Sequence, residues 1–273
     1  MRKNMKIAVV LLLAAIAAGW CGISESQQIS QVVPHLLSNI RGMGKLRVGL
    51  SSGFKPFEYK NPQGEIVGFD VDVAKELASA LKVELVIKDY EKYEDLITAL
   101  GGEVDLIISG MTRTLDRAFL VNFTDPYFTT GLMVIVNEKN TKVDNWRQLN
   151  APGKKIAVVE GTTGQDFADK KFDKAKVIRA PSDAEAVQML TRKDADAFIY
   201  DKPFIESLCM SQPNWKVLQQ QLSYEVYSIA VPKGDIEFLV WLNYFIADLK
   251  LNGKYDELYT KWFAGLYCPP FKQ

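Results

Sequence analysis

Twice along this chain, short apolar runs of strand length are separated by segments whose apolar residues recur at helical spacing. That alternation restricts the fold more than any other feature, because it favours a mostly parallel sheet with helices packed on its faces. In the first part, Leu46–Leu50 reads as a strand that ends in Ser51, Ser52 and Gly53. Asn61-Pro62-Gln63-Gly64 reads as a tight turn between two short extended pieces, since Pro fixes φ and Gly tolerates positive φ. Val71, Val73, Ala74, Leu77, Ala78 and Leu81 place an apolar stripe on a helix over 69–81. Val83–Lys88 follows as a strand, Tyr93–Leu100 as a helix stopped by Gly101-Gly102, and Val104–Ile108 as a third strand.

The second part repeats the style. Lys155–Val159 is read as a strand running into Gly161-Thr162-Thr163-Gly164 and a helix. Lys176–Arg179 and Ala197–Tyr200 are strands around a helix over Ala184–Thr191. Val226–Val231 is read as one further strand, before helices over Ile236–Leu251 and Tyr255–Ala264. Ile29–Arg41, ahead of the first strand, is patterned for a short helix.

Composition narrows the partners. Among 273 residues there are 33 basic and 33 acidic side chains, so no electrostatic footprint for nucleic acid exists. Arg2, Lys3 and Lys6 precede an apolar run from Ile7 to Ala18, shorter than a membrane span of about 20 residues, which is the pattern of an export signal. Cys21 follows that run, but the bulky Trp20 before it fits lipoprotein processing poorly, so lipid anchoring is the lesser reading. Cys209 and Cys268 either pair in an oxidising compartment or stand as separate thiols; their spacing is not that of a metal site.

Catalysis finds little support. His35 is the only histidine and lies in a poorly patterned segment, where a solvent-facing role suits it. No phosphate loop, dinucleotide fingerprint or metal-ligand cluster is present, so no cofactor or metal is expected. Binding features are stronger, because ligands of open α/β sheets lie outside the carboxyl ends of the strands. Ser109-Gly110-Met111-Thr112-Arg113-Thr114-Leu115-Asp116-Arg117 offers hydroxyls, backbone N–H groups and an Arg117 guanidinium suited to a carboxylate. Thr162 and Thr163 stand at a helix start, and Asp201 at a strand end can meet an ammonium. Phe54 and Tyr93 can cover an apolar stem. Each also has a plain structural reading: an ion pair of Arg117 with Asp116 or Asp125, a helix cap at Thr162, a helix start at Asp201, a core ring at Phe54.

The segment Gly68-Phe69-Asp70-Val71-Asp72-Val73-Ala74-Lys75-Glu76-Leu77 resembles a hallmark of the family 3 extracellular solute-binding proteins, the amino-acid receptors of ABC importers. Asp105–Ile108, Ser109–Arg117, Phe123-Thr124-Asp125-Pro126-Tyr127, Ile229–Gly234 and Lys261-Trp262-Phe263 are similar to the family in the same order. The resemblance implies a two-lobed periplasmic-binding-protein fold of type II, each lobe a mostly parallel sheet flanked by helices. It implies an export signal and start of the mature chain over 1–26 and an N-terminal extension over 27–43. Lobe one would be 44–127 plus 227–273, lobe two 133–224, and the hinges 128–132 and 225–226. It further implies a monomeric periplasmic protein that closes on a free polar amino acid and delivers it to an ABC permease.

By the same resemblance Arg117 takes the ligand's α-carboxylate, with Ser109, Gly110 and Thr112 beside it and Thr162 and Thr163 from lobe two. Asp201 accepts the α-ammonium, and Phe54 and Tyr93 sandwich the side chain. Ser51 and Gly110 stand where some members carry an Asp and a Ser, which weakens the case for a basic ligand. Glu58 is near enough to compensate but reads as solvent-facing, and Arg113 can reach an acidic side chain or point to water. Glutamine, glutamate and other polar amino acids all stay open. The rivals are a cyclohexadienyl dehydratase on the same scaffold, with Glu160 as its acid, and a ligand-sensing partner of a membrane receptor.

Overall fold

The computed structural model describes residues 35–266 and residue 268. The export signal, Cys21 and the first part of the helix read over Ile29–Arg41 lie outside the described residues. In chain order the elements are α1 (Leu36–Met43), β1 (Lys45–Leu50), β2 (Tyr59–Lys60), β3 (Ile66–Val67), α2 (Phe69–Leu81), β4 (Glu84–Asp89), α3 (Asp95–Ala99) and β5 (Leu106–Ile107). Then come α4 (Leu115–Leu120), β6 (Asn122–Phe123), β7 (Phe128–Thr130), β8 (Leu132–Val136), β9 (Lys155–Val159), α5 (Thr163–Lys171), β10 (Lys176–Ala180) and α6 (Asp183–Arg192). The chain finishes with β11 (Ala197–Asp201), α7 (Lys202–Ser211), β12 (Lys216–Leu218), β13 (Glu225–Tyr227), β14 (Ala230–Val231), α8 (Ile236–Leu251) and α9 (Lys254–Phe263). Among the described residues no helix is long and apolar enough to cross a membrane.

The strands assemble into two five-stranded sheets, one in each lobe, with the same plan. The first runs β4-β1-β5-β14-β6 and the second β10-β9-β11-β8-β12. In each, the first three strands pair in parallel, as β-helix-β units require, and the last two join antiparallel. The parallel layering expected from the alternation therefore holds at the heart of each sheet, and returning strands complete the other edge. A separate two-stranded ladder, β7 with β13, lies where the chain passes between the sheets.

The second sheet is apolar on both faces. Leu132, Val134, Val136, Ile156 and Val158 pack into one cluster, while Met133, Ile135, Ala157 and Val159 pack into another. The period of two in a pleated strand puts neighbours on opposite sides, and helices cover both, so these strands read as continuous apolar runs. In the first sheet α2 buries Phe69, Val73, Leu77 and Leu81 beside Leu46 and Val48. Gly68 opens that helix at φ 146°, and a Cβ there would lie 2.0 Å from the Phe57 carbonyl oxygen, so only glycine allows this approach.

One strand reading needs correction. Val226–Val231 is two strands, not one: β13 pairs with β7, and β14 pairs with β5 and β6. The apolar run continues through the break because buried Ser228 and Ile229 carry the chain from the ladder into the first sheet.

Cys209, in α7, and Cys268, beyond α9, form a disulfide with their Cα atoms 5.8 Å apart. It ties a helix that packs on β8 and β11 to the chain's C-terminal segment. A bridge between residues 59 apart restricts the unfolded chain strongly. Replacing both cysteines by serine is expected to lower the unfolding free energy by about 2–4 kcal/mol, read from denaturant unfolding of the oxidised parent and the double variant.

Candidate functional site

The carboxyl ends of the parallel strands in both sheets face one cleft. The space between its walls, open solvent included, amounts to about 470 Å³. Phe54, Tyr93, Ser109, Gly110, Thr112, Arg117, Thr162, Thr163 and Asp201 all line it. Residues that are distant in sequence thus come together as the position of strand ends in such sheets requires.

Arg117 sits in α4, held at its start by the Thr114 side chain, which accepts from the Arg117 N–H. The guanidinium makes no ion pair with Asp116 or Asp125. It donates through Nη1 to the Thr112 carbonyl at 2.8 Å and through Nη2 to the Gly161 carbonyl at 3.0 Å. The Tyr93 ring lies 5.4 Å from its central carbon, a cation–π contact. Two carbonyls and a ring fix the fork while leaving N–H donors of its five for an anion.

The opposite wall comes from the second sheet. Thr162 caps α5, accepting from the Gln165 N–H, so the capping reading holds beside its place in the cavity. Thr163 Oγ1 donates to Glu225 Oε2 at 2.9 Å, and Thr112 Oγ1 donates to the same oxygen at 2.8 Å. Asp201 ends β11 and starts α7, yet its side chain caps nothing. Instead Oδ1 accepts from the Tyr227 hydroxyl. Burial, and then the charge of Glu225, push the Asp201 carboxyl up to about 7, against the pull of the Tyr227 hydroxyl and Arg117.

The loop holding Gly110 is clamped from below. Asp70 Oδ2 accepts from the Gly110 N–H at 2.7 Å and from the Tyr127 hydroxyl at 2.8 Å. Ser109 Oγ donates to Glu58 Oε1 at 2.7 Å and accepts from the Ser51 N–H at 3.1 Å. Phe54 serves both core and cavity: it stacks on Phe57 with ring centres 5.0 Å apart and meets Tyr200 edge-on at 5.4 Å.

Several lining residues lay outside the expectation or read differently in it. Glu58 is fully buried, not solvent-facing. Asp183 and Ser182, at the start of α6, line the cavity, as do Tyr200, Pro181 and Glu91. The Pro-Ser-Asp run signals a helix start, which it is, and nothing local says that it also faces a cleft. Arg113 is exposed and Glu160 is exposed, and neither lines the cavity. His35 is exposed, 3.6 Å from Glu237. Among the described residues no group of three metal-ligating side chains exists.

Comparison with known proteins shows the family and the fold. Residues 46–265 match the model of the bacterial extracellular solute-binding proteins, family 3. The arginine-binding extracellular protein ArtP of Bacillus subtilis is 31% identical, over 96% of this chain and 99% of its own. The ABC transporter glutamine-binding protein GlnH of Bacillus subtilis is 29% identical, over 96% of this chain and 97% of its own. A crystal structure of a mutant ArgBP from T. maritima superposes with a TM-score of 0.79 at 40% identity, covering 84% of this chain and 99% of that one.

Gly110 has φ 49°, and a Cβ on it would lie 2.4 Å from Phe54 Cε1. Gly110→Ala is expected to displace the Phe54 ring and destabilise the fold by about 1–3 kcal/mol, measured by denaturant unfolding.

Proposed function

Because the chain belongs to the bacterial extracellular solute-binding proteins, family 3, we propose that its cleft binds a free polar amino acid for delivery to an ABC permease. The observation that carries this reading is the pairing of Arg117 with Asp201 across one cavity. A guanidinium on one wall and a carboxylate on the other match the two charges every α-amino acid carries. Arg117, with Thr112, Ser109 and Gly110 beside it, takes the α-carboxylate, and Thr162 and Thr163 add the N-terminal end of α5. Asp201 accepts the α-ammonium, and Phe54 and Tyr93 cover the side chain. The protein acts outside the cytoplasm, as its family does, and the reading carries it as a soluble periplasmic monomer.

Transport calls for an open and a closed form, and the ligand favours closure by the contacts it makes only there. The lobes divide as 44–127 plus 227–273 and 133–224, with 128–132 and 225–226 as hinges. The ladder of β7 and β13 supports this division, since the two crossing segments pair side by side from Glu225↔Thr130 to Tyr227↔Phe128. The exposure of Glu160 favours binding over dehydration, because a catalytic acid must reach the substrate.

Calorimetric titration of the common L-amino acids into the protein is expected to show tight binding of at least one polar member. Arg117→Ala should weaken it by about 100-fold or more, the loss of two charge-assisted hydrogen bonds. The reading fails if no amino acid binds, or if Arg117→Ala leaves affinity unchanged.

The same titration carries a pH signature. Above about 7 the Asp201 carboxylate is ionised and ready for an ammonium; below that the ligand must displace a proton first. Glu225 faces Asp201 as an acid, Tyr227 as a hydroxyl donor and Arg117 as a cation. Affinity is expected to be flat from pH 8 toward 7 and then to fall by up to about tenfold per pH unit toward pH 5.

A further inference from the structure

The relatives bearing names for arginine and for glutamine match this chain almost equally, so likeness does not choose the ligand's side chain. The charges around the cavity do. Its lining holds Glu58, Glu91, Asp183 and Asp201 against a single cation, Arg117. An amino acid's α-carboxylate and α-ammonium satisfy Arg117 and Asp201 and bring no net charge. Glu91 is exposed at the rim and can face water. Glu58 and Asp183 are then left without a counter-charge.

Glu58 is the sharper case. Its side chain is fully buried, Oε1 accepts from Ser109, and the carboxyl shares a further hydrogen bond with the carboxyl of Asp70. The charges that bear on it come from other acids, Asp70 and Asp183, and no cation offsets them. Burial, reinforced by Asp70, holds its carboxyl well above the ordinary range. A buried acid among other acids at a cavity wall favours a cation that comes within its reach.

Asp183 reaches the same region from the other lobe. Backbone N–H groups of residues 183 and 184 anchor its carboxyl at the start of α6, and burial lifts it to about 6. Its Oδ1 lies where a Cβ on Gly53 would come within 2.5 Å, so the carboxylate lies directly against the turn that follows β1. No Lys or Arg of the described residues pairs with it or with Glu58. The two acids thus stand on facing walls, beside Phe54, Ser51 and Ser109, which also line the cavity.

We propose that this cleft selects amino acids whose side chain carries a second cation, a guanidinium or an ammonium, and that Glu58 and Asp183 are the residues that read it. The proposal rests on the amino-acid reading above. A guanidinium supplies planar N–H donors to two carboxylates at once and returns the site to charge balance. A carboxamide can donate to Glu58 but brings no cation for the buried Asp183 carboxylate. A carboxylate side chain meets acids on both walls, and Arg113, the residue that would attract it, is exposed and does not line the cavity. Glu58 thereby replaces the acid that Ser51 lacks.

The test is calorimetry of the protein at pH 8 with L-arginine, L-lysine, L-glutamine and L-glutamate. Arginine or lysine is expected to bind at least about tenfold tighter than glutamine, with glutamate weakest, as one charge-assisted hydrogen bond implies. In Glu58→Gln and Asp183→Asn, each first shown by circular dichroism to be folded, the ratio of arginine to glutamine affinity should fall by about tenfold. Glutamine or glutamate binding as tightly as both arginine and lysine overturns the proposal, and so does an unchanged ratio in both folded variants. Binding of none of the four, or of any other amino acid, overturns instead the amino-acid reading beneath it. The comparison of ligands on the unaltered protein needs no variant, so a failure of either variant to fold leaves the decision intact.

Discussion

A single buried carboxylate links the frame of the first lobe to the loop that lines the cavity. Asp70 lies in the opening turn of α2 with no exposed surface, and one oxygen accepts from both the Gly110 N–H and the Tyr127 hydroxyl. Burial raises its carboxyl to about 6, and those two donors hold it from rising further. Removing a carboxylate from water is costly, so its donors must be well placed to repay that cost. Placement comes from backbone: Gly68 lets α2 start against the Phe57 carbonyl, and Gly110 turns at positive φ over Phe54. Helix, cavity loop and the strand entering the crossover are therefore positioned by one carboxyl group.

Aromatic packing extends that frame to the crossover itself. Phe57 meets Phe69, Phe128, Tyr227 and Phe263 with ring centres between 4.9 and 6.0 Å. These rings come from the turn after β1, from α2, from both strands of the ladder and from α9. Edge-to-face and offset contacts of this kind stiffen a core beyond the area they bury. Phe54 is the outermost member, stacked on Phe57 below and open to the cavity above. A ring that belongs to the core gives a ligand's apolar stem a surface that does not need to be ordered on binding.

How much of this was legible in the sequence follows from what local patterns can encode. The helix over 69–81 has the bounds its stripe predicts, because apolar spacing and burial on one face are the same fact. The cavity residues at strand ends were legible as well, since the rule that places them concerns topology and not side-chain detail. Glu58 was misjudged because its neighbours Tyr59, Lys60 and Asn61 form a polar, turn-like run. Its burial is decided by Ser109 and Asp70, which lie 51 and 12 residues further along the chain. Asp183 was passed over for the opposite reason: its local role at a helix start explains it so well that nothing asks for a second one. The split of Val226–Val231 into two strands was hidden because both pieces and the link between them are buried.

Strand β13 connects the two charged poles of the cleft. Its first residue, Glu225, accepts from Thr112 of the first lobe's loop and from Thr163 of the second lobe's helix start. Its last residue, Tyr227, donates to Asp201. Between them, the Val226 carbonyl accepts from the Arg113 N–H, so the loop bearing Arg117 is also hydrogen-bonded to this strand. A ligand that neutralises Asp201 or engages Thr112 and Thr163 changes the hydrogen bonds of the segment about which the lobes would turn. The acid at 225 also raises the Asp201 carboxyl, so an ammonium arriving there relieves a repulsion already built into the crossover. On the proposed function, ligand charge and lobe closure would be coupled through these three consecutive residues. A differential contact of this kind is what a binding protein needs for occupancy to shift its shape.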